Sequence, residues 1–223
     1  MVTRAHFDRS LSELSNEILL MGSRVKRELD LALSALAELD TELARQVYDE
    51  DKLVNQARFD IEEKCFTLIV TQQPAARDLR IIVAAMNMIV DLERMGDQAK
   101  GIAKLIPHLR LNPRQEQPHE LGQMGIMVGR MLEDTLTAFA DENVKLARSV
   151  AQRDDDVDEL YARVFTKVMN RMTEVENTNN AEAAYEILRA ARELERFGDL
   201  ATNIAERTIY LVTGSLDEIN IDD

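Results

Sequence analysis

Tryptophan is absent from this chain, aromatic residues of all kinds make up 4% of it, and only four of its 223 residues are proline. Sheets draw on aromatic and β-branched side chains, so the shortage argues against a β protein. Cysteine occurs once, as Cys65, which excludes an intramolecular disulfide framework. No apolar run approaches the roughly 20 residues that a membrane-spanning helix needs. The opening Met1-Val2-Thr3-Arg4-Ala5-His6-Phe7 also lacks the apolar stretch of a secretory signal. The expected compartment is therefore the cytoplasm, with any membrane contact peripheral and made through partners. Positive charge is scarce as well: 27 Lys and Arg stand against 41 Asp and Glu, a net charge of −14. Such a surface cannot displace counterions from DNA or RNA, so nucleic acid is excluded as a partner and cations or basic surfaces are favoured.

What the chain has in plenty is helix-forming residues, with Leu, Ala, Glu and Arg frequent and 10 Met among them. It also repeats itself. Asp91-Leu92-Glu93-Arg94-Met95-Gly96-Asp97-Gln98-Ala99 returns 102 residues later as Glu193-Leu194-Glu195-Arg196-Phe197-Gly198-Asp199-Leu200-Ala201. Upstream, Leu43-Ala44-Arg45, Asp51, Val54 and Asn55 return at an offset of 103 as Leu146-Ala147-Arg148, Asp154, Val157 and Asp158. Two equivalent halves follow.

Punctuation sets the boundaries. Pro107, Pro113 and Pro118 cluster between the repeats, and Pro74 should close one helix and open the next. The reading is all-α: two tandem up-down three-helix bundles related by the internal repeat. The first bundle is expected over residues 1–106, a proline-rich linker over 107–118, the second bundle over 119–214 and an acidic tail over 215–223. The predicted helices are 6–38, 42–71, 75–106, 119–140, 143–176 and 181–213, with Asp40 or Thr41, Asp141, and Asn179 or Asn180 as N-cap candidates.

In the third helix of the first half, Ala85, Ile89, Leu92, Gly96, Ala99, Ala103 and Ile106 step by three or four and form an apolar stripe. Glu93 and Asp97 sit one residue on, at its edge. Glu195 and Asp199 repeat this beside the stripe of Ile187, Ala191, Leu194, Gly198, Ala201 and Ala205. On the second helix the same geometry sets Asp51 and Asn55 beside Val47, Val54, Ala57 and Ile61, and its repeat yields Asp154 and Asp158. Residues four apart share a helical face, so acid pairs from two packed helices can surround a cation with oxygen. With 41 acids, chance alone yields about seven such spacings, so a single pair means little. Recurrence at matched places in both halves is the signal. Gly96 and Gly198 add to it, because a mid-helix glycine costs about 1 kcal/mol against alanine and points to close approach of a neighbouring helix.

The remaining candidates are weaker. His6, His108 and His119 lie near the start or in the linker, so the acid sites carry no His or Cys and suit Mg²⁺, Mn²⁺ or iron better than zinc. Cys65 falls in an apolar run and reads as a packing residue. Arg94 and Arg196 follow the motif acids and read equally as surface residues or as partners for an anion. No phosphate loop, Ser-His-Asp set or nucleophile stands out, so no catalytic residue is assigned.

Arg77-Asp78-Leu79-Arg80, the doubled Leu-Glu-Arg-x-Gly-Asp signature and Ala201-Thr202-Asn203-Ile204-Ala205-Glu206 resemble the PhoU family of bacterial phosphate-uptake accessory proteins, over about Phe7 to Thr213. The resemblance implies paired three-helix bundles and an acid-x-x-x-acid motif that holds metal clusters in some members. Carried over, that motif falls on Glu93 and Asp97, Glu195 and Asp199, and Asp154 and Asp158. The fourth place departs from it, since Asp51 is followed by the uncharged Asn55, which implies weaker or fewer ions in the first half. Asp91 and Glu193 are outer candidates. The implied role is a non-enzymatic, often dimeric negative regulator of the phosphate-starvation response. It would act as an adaptor between the phosphate transporter's ATPase subunit and the sensor histidine kinase. The alternative is a carboxylate-bridged di-metal enzyme or iron-storage bundle, which also places acids on facing helices but usually adds a Glu-x-x-His pair.

Overall fold

The computed structural model describes residues 4–111, 117–173 and 178–214. Those residues form helices joined by short turns: α1 (Arg4–Glu38), α2 (Thr41–Gln72), α3 (Arg77–Leu109), α4 (His119–Ala140), α5 (Val144–Ala151), α6 (Asp154–Thr173) and α7 (Thr178–Thr213). In α1, Leu14, Ile18, Met21, Val25, Leu29 and Ala32 recur at helical spacing and are fully buried. Each of these side chains larger than alanine contributes about 1.5–3 kcal/mol by leaving water. The apolar stripe predicted for α3 is buried along its whole length. Helices α1, α2 and α3 pack on one another as the first bundle, and α4 to α7 form the second.

The turns follow local chemistry. Asp40 caps α2, its carboxylate accepting from the backbone N–H groups of Glu42 at 2.7 Å and Leu43 at 3.2 Å. Helix α2 ends at Gln72: Gln73, directly before Pro74, leaves the right-handed helical region that the proline ring disfavours and adopts a left-handed cap. One terminal nitrogen of Arg77 then donates to both Glu142 oxygens at 2.6 and 2.7 Å, and Arg4 forks onto Asp78 through two nitrogens at 2.6 and 3.2 Å. The Arg-Asp-Leu-Arg segment thereby ties the start of α3 to α1 and to the second half.

Three expectations about elements need correcting. The single helix predicted over 143–176 is two, α5 and α6, broken at Gln152-Arg153. Arg153 turns aside to bond the Ser149 carbonyl and the Asp134 carboxylate at 2.6 Å, and Asp154, Asp155 and Asp156 then fill a new first turn. Acids are stabilised at that positive helix end, which an uninterrupted helix would not offer them. Asp141 is the C-cap of α4; the N-cap of α5 is Asn143, which accepts from Leu146 at 3.1 Å. Helix α3 continues through Pro107 to Leu109: the ring takes away the N–H that would have bonded the Ala103 carbonyl, but the helical bonding resumes beyond it, with Arg110 donating to the Ile106 carbonyl at 2.9 Å. Helix α7 starts at Thr178, ahead of Asn179 and Asn180, whose side chains lie outside the described residues, as does the acidic tail 215–223.

The halves meet through α1 with α4 and, most extensively, through α3 with α7. The first contact is symmetric. Leu136 of α4 seats on Gly22 of α1, and Leu33 of α1 seats on Gly125 of α4, both pairs related by the 103-residue offset. A side chain at either glycine would strike the leucine, so each glycine is a hole for its partner's knob. Among the described residues no helix is long and apolar enough to cross a membrane.

Candidate functional site

Helices α2 and α3 bring three of the four first-half positions into one cluster around a residue that pattern-reading passed over. Lys100, one turn beyond Asp97 on α3, places its ammonium 2.8 Å from Asp51 Oδ2 and 3.6 Å from Asp97 Oδ1. Asn55 is turned so that its amide donates to the same Asp51 oxygen at 3.2 Å. It offers Asp51 a proton and not the carbonyl a cation would want. Asp51 is buried and Asp97 exposed. Glu93, the fourth, lies beside Asp97 with Arg58 4.0 Å away, and its carboxyl is pushed above the usual range by burial and then by Asp97.

A fifth carboxyl lies beneath them. Glu28 of α1 is completely buried, and neither of its oxygens has a hydrogen-bond partner. Its Oε2 would lie 2.9 Å from a Cβ at position 96, so Gly96 is the space into which Glu28 fits. Burial, followed by the charge of Asp51, pushes the Glu28 carboxyl up to about 9. A neutral acid is the form such a site accommodates. The sequence did signal both residues. Glu28 stands on the apolar stripe of Met21, Val25 and Ala32, and Lys100 stands where the second repeat has Thr202.

In the second half Asp154 opens α6 and faces α7. It fills the space beside Gly198, with Oδ1 3.3 Å from where a Cβ would stand. Burial, then the charges of Asp199 and Asp158, push its carboxyl up to about 7. Asp199 is raised by burial and by Asp158. Glu195 is raised by burial and by Asp199, although Arg192 donates to its Oε1 at 2.8 Å; its Oε2 is buried without a partner. Thus Asp154, Asp158, Glu195 and Asp199 act on one another through their charges across α6 and α7. At the position matching Lys100 stands Thr202, buried, its hydroxyl without a partner. At the position matching Glu28 stands the buried Met131.

As placed, no three acids or other His, Cys, Asp or Glu side chains among the described residues close into a ligand set. The donor chemistry of the two halves nevertheless differs. The second half offers carboxylate oxygens that repel one another and one buried oxygen left unpaired, the condition a hard cation relieves. The first half offers carboxylates already met by an ammonium and an amide, and fits a metal poorly.

Asp91 and Glu193 belong elsewhere, to the contact between the halves. Glu193 lies over Gly101 of α3, its Cδ 2.8 Å from where a Cβ would stand. Asp91 is buried between the fields of Arg94 and Arg207. Both carboxyls are raised by burial, against the pull of those cations and, for Glu193, of Arg196, Arg189 and Lys104. Arg94 and Arg196 themselves are exposed. Cys65 is buried and its thiol is pushed up to about 11 by burial, so it is a poor nucleophile.

Paired three-helix bundles with an acid-rich signature at the same place in each define a class of tandem-repeat helical proteins. Comparison places the chain within it: the PhoU domain model matches twice, over residues 18–106 and 121–208. A phosphate-specific transport system accessory protein PhoU homolog from Clostridium acetobutylicum is 37% identical, covering 98% of this chain and all of that one. One from Streptococcus pneumoniae is likewise 37% identical, over 97% of this chain and all of the other. The crystal structure of the phosphate transport system regulatory protein PhoU from Streptococcus pneumoniae superposes with a TM-score of 0.88 at 36% identity, covering 95% of this chain and 99% of that one. The crystal structure of PhoU from Pseudomonas aeruginosa superposes at 0.86, also at 36% identity, covering 94% and 100%. The chain belongs to the PhoU family.

Proposed function

We propose that this chain is a regulatory accessory protein of phosphate transport that restrains the phosphate-starvation response when phosphate is plentiful. It does so as a cytoplasmic, homodimeric adaptor without a reaction of its own, contacting the ATPase subunit of the phosphate transporter and the sensor histidine kinase. The observation that carries this reading is the match of both halves to the PhoU domain, together with full-length relatives named for an accessory role in phosphate transport. The acidic surface, net −14, suits basic partner faces and speeds their encounter.

Within this reading the second-half acids hold a hard divalent cation, Mg²⁺, Mn²⁺ or Fe²⁺. Asp154, Asp158, Glu195 and Asp199 supply its oxygens. The ion neutralises their mutual repulsion and fixes α6 against α7. Its role is charge and shape.

The test is affinity capture of the tagged full chain from phosphate-replete and phosphate-starved cells, with bound proteins identified by mass spectrometry. Recovery of the transporter ATPase or the sensor kinase, varying with phosphate, is the expected result. Absence of both under either condition, with the bait folded and abundant, contradicts the adaptor reading.

A further inference from the structure

We propose that Lys100 is the resident cation of the first half, so that a divalent ion is held by the second half alone. The proposal rests on reading the paired acids as cation sites. It departs from that reading by denying a metal to one of the two repeats.

The argument is positional. The repeat matches Asp51 with Asp154, Asp97 with Asp199, and Lys100 with Thr202. In the first half the ammonium reaches both carboxylates across the α2–α3 contact, at 2.8 and 3.6 Å, from the place a metal would need to occupy to bridge them. Asp51 is buried and one of its oxygens already receives two donors, Lys100 and Asn55. A divalent ion entering there would have to displace the ammonium and turn the Asn55 amide about. It would also have to be held with a bound positive charge still tethered one turn away. In the second half the matched threonine carries no charge and stands one turn beyond Asp199, leaving the carboxylates without a counter-charge at that point. The two differences act together: Asn55 removes a carboxylate and Lys100 adds an ammonium, so the first-half cluster is two charges less negative at matched positions than the second.

The experiment is calorimetric titration of Mn²⁺ into the full chain and into variants whose fold is checked by circular dichroism. The wild type is expected to bind, and Asp154→Asn/Asp199→Asn to lose binding. Lys100→Thr introduced into that double variant should recover it in the first half. Thr202→Lys, which removes no candidate ligand, should abolish binding by setting an ammonium between Asp154 and Asp199. It also keeps the proposal testable if Lys100→Thr does not fold. Unchanged Mn²⁺ binding in Asp154→Asn/Asp199→Asn, or in Thr202→Lys, overturns the proposal. If the wild type binds no Mn²⁺, the cation reading itself fails, and Lys100→Thr in the wild-type chain decides this one. A site gained there upholds Lys100 as the occupant; none gained overturns it.

Discussion

In the first half a buried aspartate meets a lysine at 2.8 Å, while in the second its counterpart, Asp154, is pushed up to about 7 by burial and then by the charges of Asp199 and Asp158. The two sites share a frame, down to the glycine each carboxyl-bearing helix packs against, but Asp51 lies inside the continuous α2 whereas Asp154 opens α6 after the break at Gln152-Arg153. A few side chains separate them further: Glu28 against Met131, Asn55 against Asp158, Lys100 against Thr202. One bundle thus sets a lysine between its acids, and the other, although Arg192 meets Glu195, leaves Asp154 and Asp199 opposed. Duplication preserves a frame more readily than it preserves a charge balance, because the frame depends on apolar stripes and small residues whereas the balance turns on single atoms.

The comparison can be broken most forcefully at Lys100. Removing one partner of a buried ion pair strands the other, so Lys100→Met should lose about 2–3 kcal/mol of unfolding free energy, less than for a sealed pair because the lysine keeps a path to water. Chemical denaturation at neutral pH measures it, and Thr202→Val in the second half should change little by the same assay.

Next comes Glu28→Met, which installs the second half's residue. It should stabilise by about 2 kcal/mol at pH 8, since an unpartnered buried carboxyl is exchanged for a side chain of similar size. The sign follows from protons. With its carboxyl raised to about 9, folded Glu28 binds its proton more tightly than the unfolded chain does, so its contribution to stability falls as pH rises from about 4.5 to about 9. The variant's advantage should therefore be smallest at pH 4, where only a buried neutral carboxyl is exchanged, and grow towards pH 9 in parallel denaturation series.

Where the halves are alike, so should be their response. Gly22→Ala and Gly125→Ala each push a methyl into a leucine of the opposite bundle and should each cost about 1–2 kcal/mol. A large difference between the two would mean that the symmetric packing of α1 on α4 is not what these glycines serve.

The smallest effect is expected at Asp154. Without added cation, Asp154→Asn should stabilise by about 1 kcal/mol at pH 8 by removing one of several opposed charges, and by nothing below pH 4. The gain should appear between pH 4 and 7, where the unfolded chain's carboxyl ionises while the folded one, raised to about 7, still holds its proton. With Mn²⁺ present the sign should reverse, because a ligand that binds only the folded state stabilises it.

Much of this frame was readable from residues alone. Apolar steps of three and four located the stripes of α3 and α7, Pro74 located a helix end, and Asp40 located a cap. The break at Gln152-Arg153 was not readable, since neither residue is a helix breaker and the contact that accompanies it, Arg153 with Asp134, joins residues 19 apart. The acid positions were visible as repeated spacing, but spacing does not report which neighbour lies across the helix contact. Lys100 shows in the sequence only as a place where the repeats differ, and a shared motif does not include it. Glu28 shows only as one acid on an otherwise apolar stripe, which leaves the pattern undisturbed.

The most direct measurement is anomalous diffraction from crystals of the full chain grown or soaked with Mn²⁺. The account predicts an anomalous peak between α6 and α7, within ligand distance of Asp154 and Asp199, with Lys100 still on Asp51 and no peak beside it. A peak between Asp51 and Asp97, with the lysine swung out to solvent, would contradict it.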